Sequence, residues 1–273
     1  MVDVVVIGNV CYDEGVFVRE DGSSDKNRTL GGACYFASSA ASLFAKTGVV
    51  AKIGNDYDVS ELTKNGIDVA GVKVVDGVQT TVFRTIFKSL DGQDRDIEGE
   101  VPVELYLSPS DIPKEYLKAK VFHIATNEPD IQYELVKFLK ENTSAIVCID
   151  TIYYYASNEL TKKAFDLADV AIIEDKFPNL FDCNAKNKII KHGKNGVELW
   201  QNNQRQVFEN KHIVKAVVDK TGAGDVLAGS IAANLANGNN IKTSIEMAMD
   251  VASKSITDYG VQHLHDNYML DLI

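Results

Sequence analysis

Short runs of uninterrupted apolar residues recur along this chain at strand length, and they limit its fold more than any other feature. Val4 to Ile7, Val49 to Ile53, Val121 to Ala125, Ala145 to Ile149 and Val170 to Ile173 each fit a strand buried on both faces. Helical patterns fall between them, at Ala33 to Lys46, Tyr133 to Leu139 and Leu160 to Leu167. Two-sided burial requires cover above and below, so the alternation predicts βαβ units around a largely parallel sheet. Ile189 and Ile190, then Val197 to Trp200, read as later strands. MVDVVVIGNV is too short in its apolar part, and too acidic at its start, for a secretory leader; it reads as the first buried strand.

A different rhythm occupies Thr80 to Lys88. TTVFRTIFK alternates apolar and polar residues, reaches a turn at Asp91-Gly92 and continues to Glu98. Alternation denotes a strand with one wet face, so this piece is antiparallel and peripheral. Val16 to Val18, before Asp21-Gly22, reads as a second such strand, and together they predict a small β flap. The 273 residues form one domain, 1–273, with lid segments at about 15–30 and 80–107.

The charge balance narrows the partners. With 28 Lys plus Arg against 39 Asp plus Glu, the chain carries a net charge of -11 and repels nucleic acid and anionic membranes. A phosphorylated ligand would then depend on local donors. Cys11, Cys34, Cys148 and Cys183 are scattered, with no CxxC pair, which excludes a disulfide scaffold and predicts a reducing, cytoplasmic setting.

Those donors are predicted within VVDKTGAGDVLAGSIAANLANG, from Val217 to Gly238. A strand ending at Val217-Val218 leads into a glycine turn and then a helix that Gly238 ends. Glycines allow close backbone approach, and the amides of Gly222, Ala223 and Gly224 would point outward at a helix N-terminus, an anion site. Asp225 falls in that first turn, where the helix dipole predicts an ionised, low-pKa carboxylate that orients an attacking hydroxyl. No GxxxxGK[ST] occurs, and Leu227 stands where a dinucleotide fingerprint needs glycine.

DKTGAGDVLAG resembles the C-terminal signature of the ribokinase family, the PfkB-type carbohydrate kinases. IGNVCYDEG, LGGACYFASSAASLFA, VVAKIGNDYD, TTVFRTIFKSLDGQDR and IIKHGKNGVELW resemble that family's other segments in order, over nearly the whole chain. The resemblance implies an α/β fold, a ribokinase-like three-layer α/β/α sandwich with a mainly parallel central sheet and a small β-strand lid. It implies a small-molecule kinase that moves the terminal phosphoryl group of ATP, with Mg2+, onto a hydroxyl of a sugar, polyol, cyclitol or nucleoside. By position Asp225 matches the catalytic base and Gly222, Ala223 and Gly224 the anion hole. Asp13, Gly31 and Gly32 match substrate contacts; Asp219, Thr221, Gly193 and Gly196 match nucleotide contacts. Relatives commonly pair as homodimers through the lid.

Two departures mark this chain. Phe36 replaces a substrate-binding Asn, and Ile172-Ile173-Glu174-Asp175-Lys176-Phe177 replaces Asn-x-x-Glu, which leaves Glu174 and Asp175 as candidate metal-supporting acids. Phe36, Tyr35 and Tyr153 to Tyr155 are aromatic enough for a nucleoside or cyclitol pocket, or for plain packing. The altered acidic segment also leaves a second reading, a binding protein on the same fold with weak or lost catalysis. His263 and His265 share a face if that segment is a strand, but a third ligand is missing and metal binding is not expected. His123 reads as a core residue with a satisfied hydrogen bond, and Cys34 as a packed thiol.

Overall fold

A computed structural model describes residues 1–18, 24–87, 95–212, 214 and 216–270. The predicted turns at Asp21-Gly22 and Asp91-Gly92, with Gln93, lie outside these residues. Nine strands make the main sheet, in the order β13-β12-β11-β10-β9-β8-β1-β4-β5. They are β1 (Val4–Ile7), β4 (Thr47–Gly54), β5 (Asp68–Val75), β8 (Val121–Ile124), β9 (Ile146–Ile149), β10 (Val170–Glu174), β11 (Asn187–Lys191), β12 (Gly196–Gln201) and β13 (Gln204–Glu209). From β5 to β11 every pairing is parallel; β12 and β13 finish the sheet antiparallel.

Alternation along β1 builds the layers. Val4 and Val6 turn to a core shared with α1 (Ala33–Ser42), α6 (Ala223–Ala236) and α7 (Ile241–Ser255). Val5 and Ile7 turn to the opposite core, with α3 (Pro129–Asn142) and α5 (Glu159–Leu167). Successive strand residues face opposite sides, so an all-apolar strand serves two helix layers at once. The result is a ribokinase-like three-layer sandwich. Close packing of α1 on α6 depends on Gly229, where a Cβ would stand 2.0 Å from the Ala37 carbonyl oxygen.

A separate sheet of order β3-β2-β6-β7 contains β2 (Cys11–Val18), β3 (Ser24–Gly31), β6 (Val82–Phe87) and β7 (Arg95–Glu98). Buried Thr80 ties it to the main body, its hydroxyl accepting from the Gly54 amide at 2.9 Å, while the buried Thr81 carbonyl accepts from the Tyr12 amide of β2 at 2.9 Å. The small sheet stops at Glu98, and Leu105 and Leu107 are buried in the body.

Two local expectations are corrected. Val217-Val218 forms no strand; the pair is 47% and 44% exposed, in a connection anchored where the Val218 amide donates to the Ile256 carbonyl at 2.8 Å. His263 and His265 lie in a helix, α8 (Gln262–Leu270), where His263 meets the Lys254 carbonyl and His265 the Ser39 carbonyl. Their alternate spacing therefore gives no shared face.

Candidate active site

Parallel strands aim their C-terminal ends at one edge of the sheet, and side chains from distant positions meet there. Gly8 and Asn9 follow β1, Asp150 follows β9, and Glu174 and Lys191 end β10 and β11. The start of α6 faces this edge. Gly222 is its N-cap at φ 74, in the left-handed region that suits glycine. Any Cβ at 222 would stand 2.3 Å from the Phe36 ring, so this turn rests directly on that aromatic floor.

The helix start is open to solvent: Thr221 is exposed and residues 222–225 are half-buried. The free donors differ from those predicted. The Ala223 amide donates to the Lys220 carbonyl at 3.2 Å, which closes the turn and removes Ala223 from the anion hole. Among the described residues the amides of Gly222, Gly224 and Asp225 have no such partner. With the helix dipole, they could receive an anion.

Asp225 is half-buried. Burial, then the charges of Asp150, Asp13 and Glu174, push its pKa up, while Lys191 opposes them. This overturns the low-pKa expectation, which counted the dipole of one helix and none of the acids that strand order brings beside it. Asp150 rises to about 6 through burial and, less, the charge of Glu174, against Lys191. Asp13 rises to about 6 through burial, against the hydrogen bonds it accepts from Cys11 and the Gly32 amide.

The residues predicted from sequence fall into distinct groups. Asp13 packs on Gly31, where a Cβ would lie 2.0 Å from its carboxylate oxygen, and Gly32 sits at φ 92 as the N-cap of α1. Phe36 is buried, and Tyr35 points into the core with its hydroxyl accepting from Gln262 at 2.9 Å. Tyr35 is therefore packing. Tyr153 and Tyr154 are exposed and lie against each other, 3.9 Å between centroids. Asp219 accepts from the Thr221 amide at 2.9 Å and hydroxyl at 2.7 Å, so both brace the turn at its exposed edge. Gly193 (φ 55) and Gly196 (φ 105) shape the β11–β12 connection.

Glu174 and Asp175 do not act as a pair. Glu174 faces Lys191 at 4.0 Å, whereas Asp175 turns to His192 at 3.2 Å. Consecutive residues leaving a strand point apart. Among the described residues no cluster of three His, Cys, Asp or Glu side chains reaches metal-binding spacing. Sequence reasoning missed Asp150 and Lys191, and read His123 only as a satisfied core residue. His123 is fully buried with both ring nitrogens unpartnered, 3.9 Å from the Asp150 carboxylate, and burial lowers its pKa to about 3. The satisfied hydrogen bond expected for it is absent.

A profile of the pfkB family of carbohydrate kinases matches residues 157–267, the span that contains the open turn. Over that span the chain is similar to that family. A cytidine kinase of Thermococcus kodakarensis is 29% identical over 95% of this chain and 98% of its own length. A ribokinase of Dictyostelium discoideum is 34% identical over 60% of this chain and 53% of its own. Among solved structures, a Burkholderia thailandensis nucleoside kinase in complex with inosine superposes with a TM-score of 0.81, over 95% of this chain and 93% of its own, at 14% identity. Thermotoga maritima ribokinase gives 0.78 over 99% and 100%, at 21% identity. These two likenesses carry the ribokinase fold. No described helix is long and apolar enough to cross a membrane.

Proposed function

We propose that this protein transfers the terminal phosphoryl group of ATP to a hydroxyl of a nucleoside. The observation that carries the reading is the open cradle of Gly222, Gly224 and Asp225 amides beside the Asp225 carboxyl. Full-length similarity to a cytidine kinase, and the apolar floor that Phe36 offers where sugar kinases hold an Asn, favour a nucleoside over a free sugar.

In the proposed step the acceptor oxygen bonds to the γ-phosphorus while the bond from that phosphorus to the β–γ bridging oxygen breaks, and ADP leaves. The hydroxyl proton passes to the Asp225 carboxylate and then to solvent. The amides of Gly222 and Gly224 stabilise charge on the equatorial oxygens. Asp13, fixed by the Gly31-Gly32 turn, accepts from the acceptor's other hydroxyls, and Gly193, Gly196, Asp219 and Thr221 border the nucleotide. The small sheet closes over the acceptor and keeps out water, which would otherwise take the phosphoryl group.

The residues fit Mg2+. Asp150 carries a buried oxygen, Oδ1, without a partner, and acids outnumber cations around a phosphate cradle. Glu174 and Asp150 would hold the ion, which supplies charge neutralisation for the phosphates. Asp175, tied to His192, does not join them. Pairing of two copies through the small sheet belongs to the same proposal, and sedimentation of wild-type protein tests it.

ADP release, measured with Mg-ATP over cytidine, inosine, ribose, fructose and inositol, tests the reading. We expect turnover with the highest kcat/KM for a nucleoside. Binding of nucleosides without turnover of any acceptor would replace the reading with the binding protein.

A further inference from the structure

Lys191 ends β11 with its side chain 14% exposed. Its ammonium occupies a narrow place: a Cβ built on Gly224 would stand 2.8 Å from Nζ and 3.8 Å from Cε. The cation therefore lies beside the Cα of Gly224, at the start of α6. Its closest recorded carboxylate, Glu174, is 4.0 Å away, beyond hydrogen-bond reach. Among the described residues no hydrogen bond reaches Nζ. Its field nevertheless acts on Asp150 and Asp225 together. A largely covered ammonium without an acceptor is unfavourable unless a ligand supplies one.

We infer that Lys191 is a catalytic cation whose ammonium meets the γ-phosphoryl oxygens across from the open amides of Gly222, Gly224 and Asp225. The inference rests on the kinase reading above and adds a residue to it. Gly224 carries a second meaning in this light. Its φ is ordinary, so alanine fits the backbone, and the one neighbour a methyl would meet is the movable tip of Lys191. The glycine is there to leave room for the cation. A purely structural lysine, placed to offset the buried acids, would stand closer than 4.0 Å to at least one of them and would be indifferent to which nucleotide is bound.

That difference sets the test. Parent protein, Lys191→Met, Gly224→Ala and the double variant are compared by calorimetric binding of Mg-ATP and Mg-ADP, by kcat, and by thermal melting. A charge-assisted contact made only to the γ-phosphate predicts that Lys191→Met loses ATP affinity by about tenfold or more, with ADP affinity unchanged within about twofold. A contact that strengthens in the transition state lowers kcat by about a hundredfold. Gly224→Ala is expected to shift ATP over ADP in the same direction by displacing the ammonium, and to add little to Lys191→Met. Equal losses of ATP and ADP affinity, or an unchanged kcat, would overturn the inference. So would a Gly224→Ala effect undiminished in the Met background. A parent that binds ATP better than Lys191→Met does but turns over no acceptor refutes the kinase reading while the cation assignment stands. A parent that binds no ATP ends both.

Discussion

Gly222→Ala concentrates the consequences of this architecture in one methyl group. The residue stands at φ 74, so an L side chain incurs left-handed strain of roughly 1–2 kcal/mol. The new Cβ would also lie 2.3, 2.5 and 2.5 Å from three carbons of the Phe36 ring. Phe36 is buried, 5.5 Å from the Tyr35 ring centroid, so it has little room to retreat. Overpacking of this kind costs about 1–3 kcal/mol. The sum, about 2–5 kcal/mol, divided by an unfolding entropy of ~2.1 cal/mol/K per residue over 273 residues, lowers Tm by roughly 4–9 °C. Denaturant unfolding gives the energy, and Gly222→Ala in a Phe36→Leu background separates strain from clash. The two changes should couple by about 1–3 kcal/mol in the favourable direction. Turnover should fall with Gly222→Ala because the amide of residue 222 moves with the turn. A loss of stability below about 0.5 kcal/mol with parental activity would refute the placement of the turn on Phe36.

Three further outcomes follow from the clustered acids and the turn. Burial and the charges of Asp150, Asp13 and Glu174 raise the Asp225 pKa, so the base is protonated, and kcat/KM lost, as pH falls. The acidic limb should have its midpoint well above the ordinary Asp value of about 3.9, and a midpoint at that value would contradict the assignment. Asp13 has a folded pKa of about 6, above its unfolded value, so the folded state binds the extra proton and stability declines as pH rises from about 4 to 6. Asp13→Asn should therefore stabilise the protein at pH 7, by up to about 3 kcal/mol, while raising the acceptor KM; melting curves showing no gain over parent at pH 7, or the same gain at pH 4, would refute this. Thr221→Val removes one of the two bonds bracing Asp219 and should weaken nucleotide binding severalfold with Tm nearly unchanged, read by calorimetry and melting.

The parallel sheet could be read from runs such as Val4 to Ile7 because burial on both faces erases alternation, and that erasure is itself a signal. Thr80 to Lys88 was legible as a peripheral strand for the opposite reason, but β6 (Val82–Phe87) is antiparallel only to β7 and pairs β2 in parallel, against the expectation. Polar β3 and the exposed edge strand β5 carried neither pattern and were not assigned as strands, although β3 falls within the lid segment expected at about 15–30. The turn at 221–225 was legible because its residue types are local requirements: glycine for a positive φ at 222 and for clearance at 224. Asp150 and Lys191 were not, because β9 and β11 bring their ends to the start of α6 only through strand order, which no single segment records. The same omission misjudged Asp225, whose pKa depends on residues 75 and 212 positions away more than on its own helix. Val217-Val218 misled because two adjacent valines suggest a strand, whereas here they lie exposed in a connection.

Asp225→Asn tests the central claim most directly, since the amide keeps the shape of the side chain and removes its capacity to take a proton. Single-turnover transfer from Mg-ATP to the preferred nucleoside should slow by at least about a hundredfold, with ATP still bound and the fold intact. Transfer at the parental rate would show that the acid at the start of α6 is not the group that receives the acceptor's proton.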